Sequence, residues 1–258
     1  MRGFRPLSAL STEERDWIIG FIGHDGVLPL YVDTAFEDLA LGINNRLILI
    51  GSARRGLILG IAFSGVEAFT IVGELDETEL SAACTRPMPA ELHVTADLAV
   101  RLRPLIGARL EAVRSMRIET CAIGTYTSDP ICRIMGPDDA ARLTDFYRLY
   151  NPRSVFSPWM LKHPFFAVEA QGEILAGAGV LALSRRVGWA LIGHFLTQPD
   201  RRGRGLAGRL GETLLAALAR NGICRAALVT TDDNAAARGV YRRLGFALAE
   251  AKVELDLK

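Results

Sequence analysis

Apolar and polar positions in the first half of the chain change several times between helical and extended periodicity. The segment S-T-E-E before an apolar run predicts a helix over residues 11–22, with Ser11 or Thr12 as its N-cap and Glu14 completing a capping box. Three strands separated by short turn signals are predicted next, over residues 46–50, 56–63 and 67–72. Helical and extended patterns then alternate as far as residue 122. We therefore predict a mixed α/β domain over residues 1–125.

A turn-rich joint at residues 124–130 ends this domain, and the pattern restarts in a second domain, residues 131–258. Strands are predicted there over 131–135, 165–170, 174–183, 187–196, 225–230 and 246–257, and helices over 136–150, 157–162 and 235–244. Three consecutive strands are joined by short turns, which favours antiparallel pairing. The predicted fold class is α/β of the α+β kind, with a mixed, mainly antiparallel central sheet flanked by helices.

The stretch R-R-G-R-G-L-A-G, residues 201–208, follows an apolar strand and begins a helix in which Leu recurs every four positions from Leu206 to Leu218. Its glycines allow tight turning and close approach of a ligand to the backbone. A helix N-terminus leaves amide N–H groups without helical partners, and its dipole favours an anion. We therefore predict a phosphate-binding loop here. Nearby cationic side chains are those of Arg201, Arg202, Arg204 and Arg209.

The charge balance, the cysteine spacing and the lengths of the apolar runs exclude several classes of protein. The 258 residues carry 30 Lys and Arg against 29 Asp and Glu, so no global field favours nucleic acid. Cys84, Cys121, Cys132 and Cys224 show no metal-ligand spacing and are interpreted as reduced core thiols. No apolar run reaches the roughly 18 residues of a membrane span, and the first residues lack the apolar core of a signal peptide. We expect a cytoplasmic protein without metal, membrane or nucleic-acid partners, whose oligomeric state the sequence leaves open.

The glycine loop has two interpretations. Gly203, Gly205 and Gly208 fit G-x-G-x-x-G, and Asp232 follows the next strand, as in a dinucleotide-binding oxidoreductase. That fold begins with such a unit and needs several further strands, whereas only residues 209–258 follow here. The alternative is the pattern R-x-x-G-x-G/A at residues 202–207. The preceding strands joined by short turns favour this alternative.

With that pattern the chain resembles the GNAT superfamily of acetyl-coenzyme A-dependent N-acyltransferases. Residues 195–203, F-L-T-Q-P-D-R-R-G, resemble L-x-V-x-P-x-x-R-G, with Phe195 and Thr197 as departures. Residues 234–246, N-A-A-A-R-G-V-Y-R-R-L-G-F, are similar to N-x-x-A-x-x-x-Y-x-x-x-G-F. The resemblance runs from Ile131 to about Leu257 and implies a GNAT fold, acetyl-CoA as cosubstrate, and direct acetyl transfer to the amine of a small molecule or peptide. One hypothesis for the first domain is a degenerate copy of this fold that forms a wall of the acceptor site.

The resemblance also implies site residues. The pyrophosphate would bind the glycine loop, strands 195–197 and 226–230 would separate to admit the pantetheine arm, and an N–H near Leu196 or Thr197 would stabilise the oxyanion. Tyr241 is the candidate acid for the departing thiolate, and Asn234 binds the pantetheine amides or caps the last helix. The predicted cofactor-binding set is Phe195, Leu196, Thr197, Arg202, Gly203, Arg204, Gly205, Leu206, Ala207, Gly208 and Asn234.

The general base is the weakest part of this prediction. His194 is the best titratable candidate, ahead of Glu169 and Glu173, and His163 is expected in a loop near the acceptor pocket. No Cys or Ser shows a partnered base, so a covalent acyl-enzyme is not predicted. The lack of a clear base favours one rival function, a non-catalytic acyl-CoA-binding or sensor protein.

Overall fold

The computed structural model describes residues 3–43, 45–63, 66–87, 89–152, 154 and 156–258. The strands are β1 Arg5–Pro6, β2 Arg46–Ile50, β3 Gly56–Phe63, β4 Val66–Gly73, β5 Ala90–Val94, β6 Leu110–Ala122, β7 Cys132–Ile134, β8 Phe165–Ala170, β9 Glu173–Ser184, β10 Trp189–Thr197, β11 Arg225–Thr231 and β12 Ala247–Leu257. The α-helices are α1 Thr12–Ile22, α2 Val27–Ala40, α3 Glu77–Cys84, α4 Ala96–Ile106, α5 Ala140–Tyr150, α6 Leu206–Arg220 and α7 Ala235–Arg243. No helix among these residues is both long and apolar enough to cross a bilayer.

The described strands form one sheet, in the order β1-β2-β3-β4-β5-β12-β6-β11-β10-β9-β8-β7. Neighbouring strands are antiparallel except for two parallel pairs, β4 with β5 and β10 with β11. Helices cover both faces of this sheet. The predicted mixed, mainly antiparallel sheet flanked by helices is therefore confirmed.

The two halves of the chain exchange strands at the centre of the sheet. Strand β6, from the first half, pairs with β11 of the second half from Ala122 opposite Arg225 to Met116 opposite Thr231. The last strand, β12, pairs with β5 of the first half and with β6. The joint at residues 124–130 therefore divides the chain but not the sheet, and the division into two domains stays a prediction.

Each face of each half has its own apolar core. In the first half, α3 and α4 pack on one face and α1 and α2 on the other. In the second half, α6 and α7 pack on one face, and α5 packs on the other with a short 3-10 helix, Pro158–Lys162. Representative core residues are, in that order, Leu102, Ile18, Leu214 and Phe146.

Helix α2 was not predicted from the sequence. It begins at Gly26 without a side-chain cap, and it buries Asp33 and Asp38, which hid its apolar face. The Asp33 carboxylate accepts hydrogen bonds from Ser184 Oγ and, at 2.6 Å, from Arg186 Nε. Leu30 of α2 shares an apolar core with residues of β10 and β11. Helix α2 therefore packs on the sheet of the first half and also covers part of the sheet of the second half.

The predicted capping box of α1 is confirmed. The Ser11 hydroxyl accepts the Glu14 N–H at 3.2 Å, and the Glu14 carboxylate accepts the Ser11 N–H at 3.0 Å.

The prediction of buried free thiols is confirmed for Cys84, Cys121 and Cys132. It is wrong for Cys224, which is also free but exposed. This residue lies in the loop between α6 and β11. Among the described residues, the only hydrogen-bond partner of its Sγ is the Gly188 carbonyl, at 3.3 Å.

Candidate functional site

A groove of about 690 Å³ lies at the end of strand β10. Strands β10 and β11 pair in parallel only over Trp189–Leu191 and Arg225–Ala227, although β10 continues to Thr197 and β11 to Thr231. The groove is lined by the end of β10, the glycine loop, the start of α6 and one face of α7. Every residue of the predicted cofactor-binding set lines it, together with Tyr241. The separation of the two strands that the resemblance implied is present beyond Leu191 and Ala227, whereas residues 226 and 227 of the predicted range still pair with β10.

A β-bulge bends β10 at the mouth of this groove. Between Gly193 and Leu196, strand β10 has one residue more than its partner β9, which runs from Gly179 to Gly177 over the same interval. His194 takes up the extra length with a left-handed φ of 56°. The Tyr147 hydroxyl donates to the His194 carbonyl at 2.6 Å and holds the bulge. Bulges redirect a strand, and left-handed non-glycine residues concentrate at functional sites.

The backbone N–H of Thr197 is directed towards the gap between the strands. The Gln198 N–H donates to the Leu175 carbonyl, at 2.9 Å, on the β9 side. Backbone groups of successive strand residues point to opposite sides, so the Thr197 N–H points away from β9 towards the gap. Consistently, the Thr197 carbonyl accepts a 3.3 Å hydrogen bond from Arg202 Nε on that side. Of the two predicted positions, Leu196 and Thr197, this geometry favours Thr197.

The glycine loop presents a row of unpaired amides. Gly203 and Gly205 both have a φ of 76°, a left-handed conformation that glycine adopts without strain. Gly208 lies in the first turn of α6. After Arg202, the next amide that has a carbonyl acceptor is that of Arg209. It donates to the Gly205 carbonyl at 3.2 Å. Within the described chain, none of the N–H groups of residues 203–208 has a protein acceptor. This is the arrangement that binds phosphates at helix N-termini.

The cations around the loop are not equivalent. Arg201, Arg202 and Arg204 line the groove. Arg209 does not, because it turns towards Asp129 at 3.5 Å. Sequence reasoning missed a further cation, Arg243, and also Tyr150 and Asn151 at the end of α5, all of which line the groove. Arg243 lies within the N-to-F motif of the last helix, which is the signal that could have identified it.

Tyr241 is buried in the wall of the groove. Its ring lies 5.4 Å from that of Phe195 in an edge-to-face arrangement. Burial, and secondarily the charge of Glu119, raise the pKa of the Tyr241 phenol well above its usual value of 10. The phenol is therefore protonated throughout the neutral range. Glu119 lies on β6, so the first half of the chain contributes to the electrostatics of the groove.

Asn234 lines the groove and is also the N-cap of α7. Its Oδ1 accepts the Ala237 N–H at 3.3 Å. The predicted capping role is confirmed, and the predicted binding role stays a prediction.

His194 does not line the groove. Its ring packs among those of Tyr147, Phe156 and Phe165 on the opposite face of the sheet, and its Nε2 lies 3.1 Å from the Met160 sulfur. Burial lowers the pKa of His194 to about 4. Its role as a base stays a prediction.

The other candidate bases also lie outside the groove lining. Arg133 and Arg142 each bind the Glu169 carboxylate at 2.6 Å, and the hydrogen bond from Arg133 is the main cause that lowers the pKa of Glu169. Glu173 is exposed at the start of β9. Burial lowers the pKa of His163 to about 4, and this residue follows the short helix Pro158–Lys162. Among the described residues that line the groove, none of these three is present.

Comparison with known proteins agrees with this geometry. Residues 135–246 match the family model described as the acetyltransferase (GNAT) family. This part of the chain is a GNAT domain. The match supports acyl transfer as the general activity of this domain. No curated protein sequence matches the chain.

Some solved structures are similar in fold to nearly the whole chain, and not to the GNAT domain alone. A Drosophila protein superposes with a TM-score of 0.75 at 15% identity, covering 100% of this chain and 99% of its own. A GNAT-family putative acetyltransferase from Novosphingobium aromaticivorans gives 0.60 at 21% identity, covering 78% and 87%. A tandem GNAT protein from the clavulanic acid biosynthesis pathway gives 0.63 at 12% identity, covering 98% and 97%. At these identities the likeness shows the fold alone, and it includes the first half of the chain.

Proposed function

We propose that the protein is an N-acetyltransferase that moves an acetyl group from acetyl-CoA directly to an acceptor amine. The observation that carries this proposal is the row of unpaired amides over residues 203–208 at the edge of the groove. These amides lie at a helix start, where N–H groups have no helical partner, and a row of six such donors without protein acceptors fits an anionic ligand.

The groove fits the chemical parts of acetyl-CoA in order. The pyrophosphate is an anion with several acceptor oxygens, which suits the loop amides and the guanidinium groups of Arg202 and Arg204. A Cβ built on Gly203 or Gly205 meets nothing within 4 Å, so the space above these residues is free for the ligand. The amides of the pantetheine arm can pair with the backbone of β10 where β11 has left it. This places the thioester near the bulge, where Thr197 offers its N–H to the carbonyl oxygen.

Tyr241 is the proposed acid. Its raised pKa keeps the phenol protonated at neutral pH, so it can donate a hydrogen bond to the developing thiolate and transfer its proton to the sulfur. The phenolate that this leaves is a stronger base than the thiolate, so it takes up the proton that the acceptor amine releases. The edge-to-face contact with Phe195 places Tyr241 next to the end of β10.

The acceptor amine reaches the protein as an ammonium and must lose a proton before it attacks. His194 is the proposed base, since it is neutral at pH 7 and lies at the bulge. A pKa of about 4 makes it a weak acceptor. Proton transfer through water is therefore the alternative route.

The test is acetyl-CoA turnover with a panel of amines, followed by release of free thiol. Tyr241→Phe should keep CoA affinity and lower kcat by about 10²- to 10⁴-fold, the usual contribution of a positioned acid. Tyr150→Phe, which removes another hydroxyl from the groove lining, should change kcat by less than threefold. Equal kcat values for wild type and Tyr241→Phe would refute the assigned role.

The same assay separates the rival function. A non-catalytic acyl-CoA sensor binds acetyl-CoA but releases no thiol above the rate without amine. The open gap between β10 and β11 and the Thr197 N–H that faces it favour the enzyme.

A further inference from the structure

A second cavity, of about 200 Å³, lies between the two halves. Strands β3, β4 and β5 of the first half line it, together with β9, β10 and the short helix Pro158–Lys162 of the second half. Its wall residues Ala182 and Leu191 share a core with Leu30 of α2. The cavity is therefore on the sheet face opposite α6 and α7, the helices that line the groove.

This cavity reaches the strand at which the groove opens from the other face. Leu191, in its wall, is the last residue of β10 that pairs with β11. Met160, also in its wall, contacts His194 at the bulge, and the next residue, Phe195, lines the groove. A substrate in the cavity therefore approaches the gap between β10 and β11 from the side opposite the groove.

Most of the cavity wall is apolar. On β4, Ala68 and Thr70 line the cavity, whereas the alternate residues Phe69 and Ile71 belong to the core on the other face, beneath α3 and α4. Tyr31 of α2 adds no charge to the wall at neutral pH, because burial raises the pKa of its phenol to about 12. Side chains at positions 68 and 70 therefore point into an uncharged, largely apolar space.

Each of the other ionisable side chains in the described wall has a partner in the protein. The Arg46 guanidinium donates to the buried Asp38 carboxylate at 3.0 Å. His93 Nε2 lies 3.2 Å from the Glu254 carboxylate. Glu91, beside His93 on β5, is not free either. A charged group on the body of a ligand would therefore lose its water here without gaining a free counter-charge, which is costly.

Building on the proposed function, we infer that this cavity binds the acceptor and that the acceptor is an amine on an apolar body without a second charged group. An apolar cavity of roughly 150 Å³ holds a benzene molecule, so 200 Å³ holds one ring or an alkyl chain of about six carbons. The apolar walls bind this body. The amino group then points towards the gap between β10 and β11.

The experiment compares amines that differ in one property at a time. Hexylamine, hexamethylenediamine and ε-aminocaproate have six carbons each, and only hexylamine lacks a second charge. With saturating acetyl-CoA, kcat/KM for hexylamine should exceed that for each of the other two at least tenfold. Each buried methylene adds about fourfold to binding, so hexylamine should also exceed propylamine at least tenfold.

Substitutions that fill the cavity test where the alkyl chain binds. Ala68→Leu should lower kcat/KM for hexylamine at least tenfold and change that for propylamine less than threefold. Ala251→Leu, at an exposed position of β12 outside the cavity lining, should leave both values unchanged. Thr70→Leu fills the cavity from the next inward position of β4, so the test stands even where Ala68→Leu does not fold.

A binding measurement separates this inference from the proposed function. Calorimetry of hexylamine with the protein alone should give a dissociation constant that the cavity-filling variants weaken at least tenfold, whether or not the protein is catalytic. Equal kcat/KM values for the three six-carbon amines, or unchanged values for hexylamine in folded cavity-filling variants, would overturn the acceptor assignment while acetyl-CoA turnover stays intact. Loss of acetyl-CoA binding with hexylamine binding intact would overturn the proposed function alone.

Discussion

Substitution of two glycines tests whether the loop amides bind a ligand. Gly205, in the phosphate loop, and Gly222, in the turn after α6, both have a φ of 76° and nothing within 4 Å of a built Cβ. Alanine at either position forces an L-residue into the left-handed region, at a cost of about 1–2 kcal/mol. Gly205→Ala and Gly222→Ala should therefore lower the free energy of unfolding, measured in urea, by the same amount. Domains are typically stable by roughly 5–15 kcal/mol, so both variants should remain folded.

The two variants should differ only in ligand binding. The Cβ of Gly205→Ala enters the open space beside the unpaired amides, whereas that of Gly222→Ala lies in a turn outside the groove lining. By calorimetry, CoA affinity should fall at least tenfold for Gly205→Ala, or about 1.4 kcal/mol, and stay within twofold of wild type for Gly222→Ala. Equal CoA affinities for the two variants would refute the argument that the backbone of this loop binds the phosphates.

Two further predictions concern stability. His194 has a pKa lowered from 6.5 to about 4 in the folded protein, so the unfolded chain binds the extra proton first as the pH falls. His163 has the same lowered pKa, so each of the two histidines should decrease the free energy of unfolding between pH 6.5 and 4 by up to about 3 kcal/mol. His194→Asn, which tolerates the left-handed φ, should remove about half of the slope that the two histidines give the urea-derived pH profile; an unchanged slope would contradict it. Asp33→Asn weakens the buried contacts of α2 with Ser184 and Arg186 and should cost about 2 kcal/mol, whereas the exposed Asp16→Asn should cost less than about 0.5 kcal/mol; equal thermal midpoints for the two variants would argue against the docking role of α2.

Local signals in the sequence predicted most of the helices and strands. The capping box at Ser11 and Glu14 and the leucine repeat of α6 involve residues a few positions apart, and they appear in the structure as expected. Helix α2 escaped prediction because its buried Asp33 and Asp38 look like surface residues until their partners, Arg46, Lys162, Ser184 and Arg186, are known. The exchange of β6 and β12 between the two halves also escaped prediction, because it too depends on distant partners. Pairing across more than a hundred residues leaves no periodic signal.

The groove could be predicted further than the cavity of about 200 Å³ between the two halves. The glycine loop, the end of β10 and α7 are consecutive motifs, so the cofactor-binding set and Tyr241 were predicted together, and all of them line one groove. The cavity between the halves combines β5, β10 and the short helix Pro158–Lys162, which lie far apart in sequence. The environment of His194 also depends on distant residues. Its pKa is lowered by rings from α5 and β8 that only the fold brings together.

We propose that unpaired main-chain amides at the start of α6 bind the diphosphate of CoA. The decisive experiment is calorimetric titration of the wild-type protein with CoA, and separately with pantetheine, which lacks the phosphates. We expect one binding site for CoA, with a dissociation constant at least a hundredfold lower than that for pantetheine. No heat with CoA, or equal affinities for the two ligands, would refute the proposal.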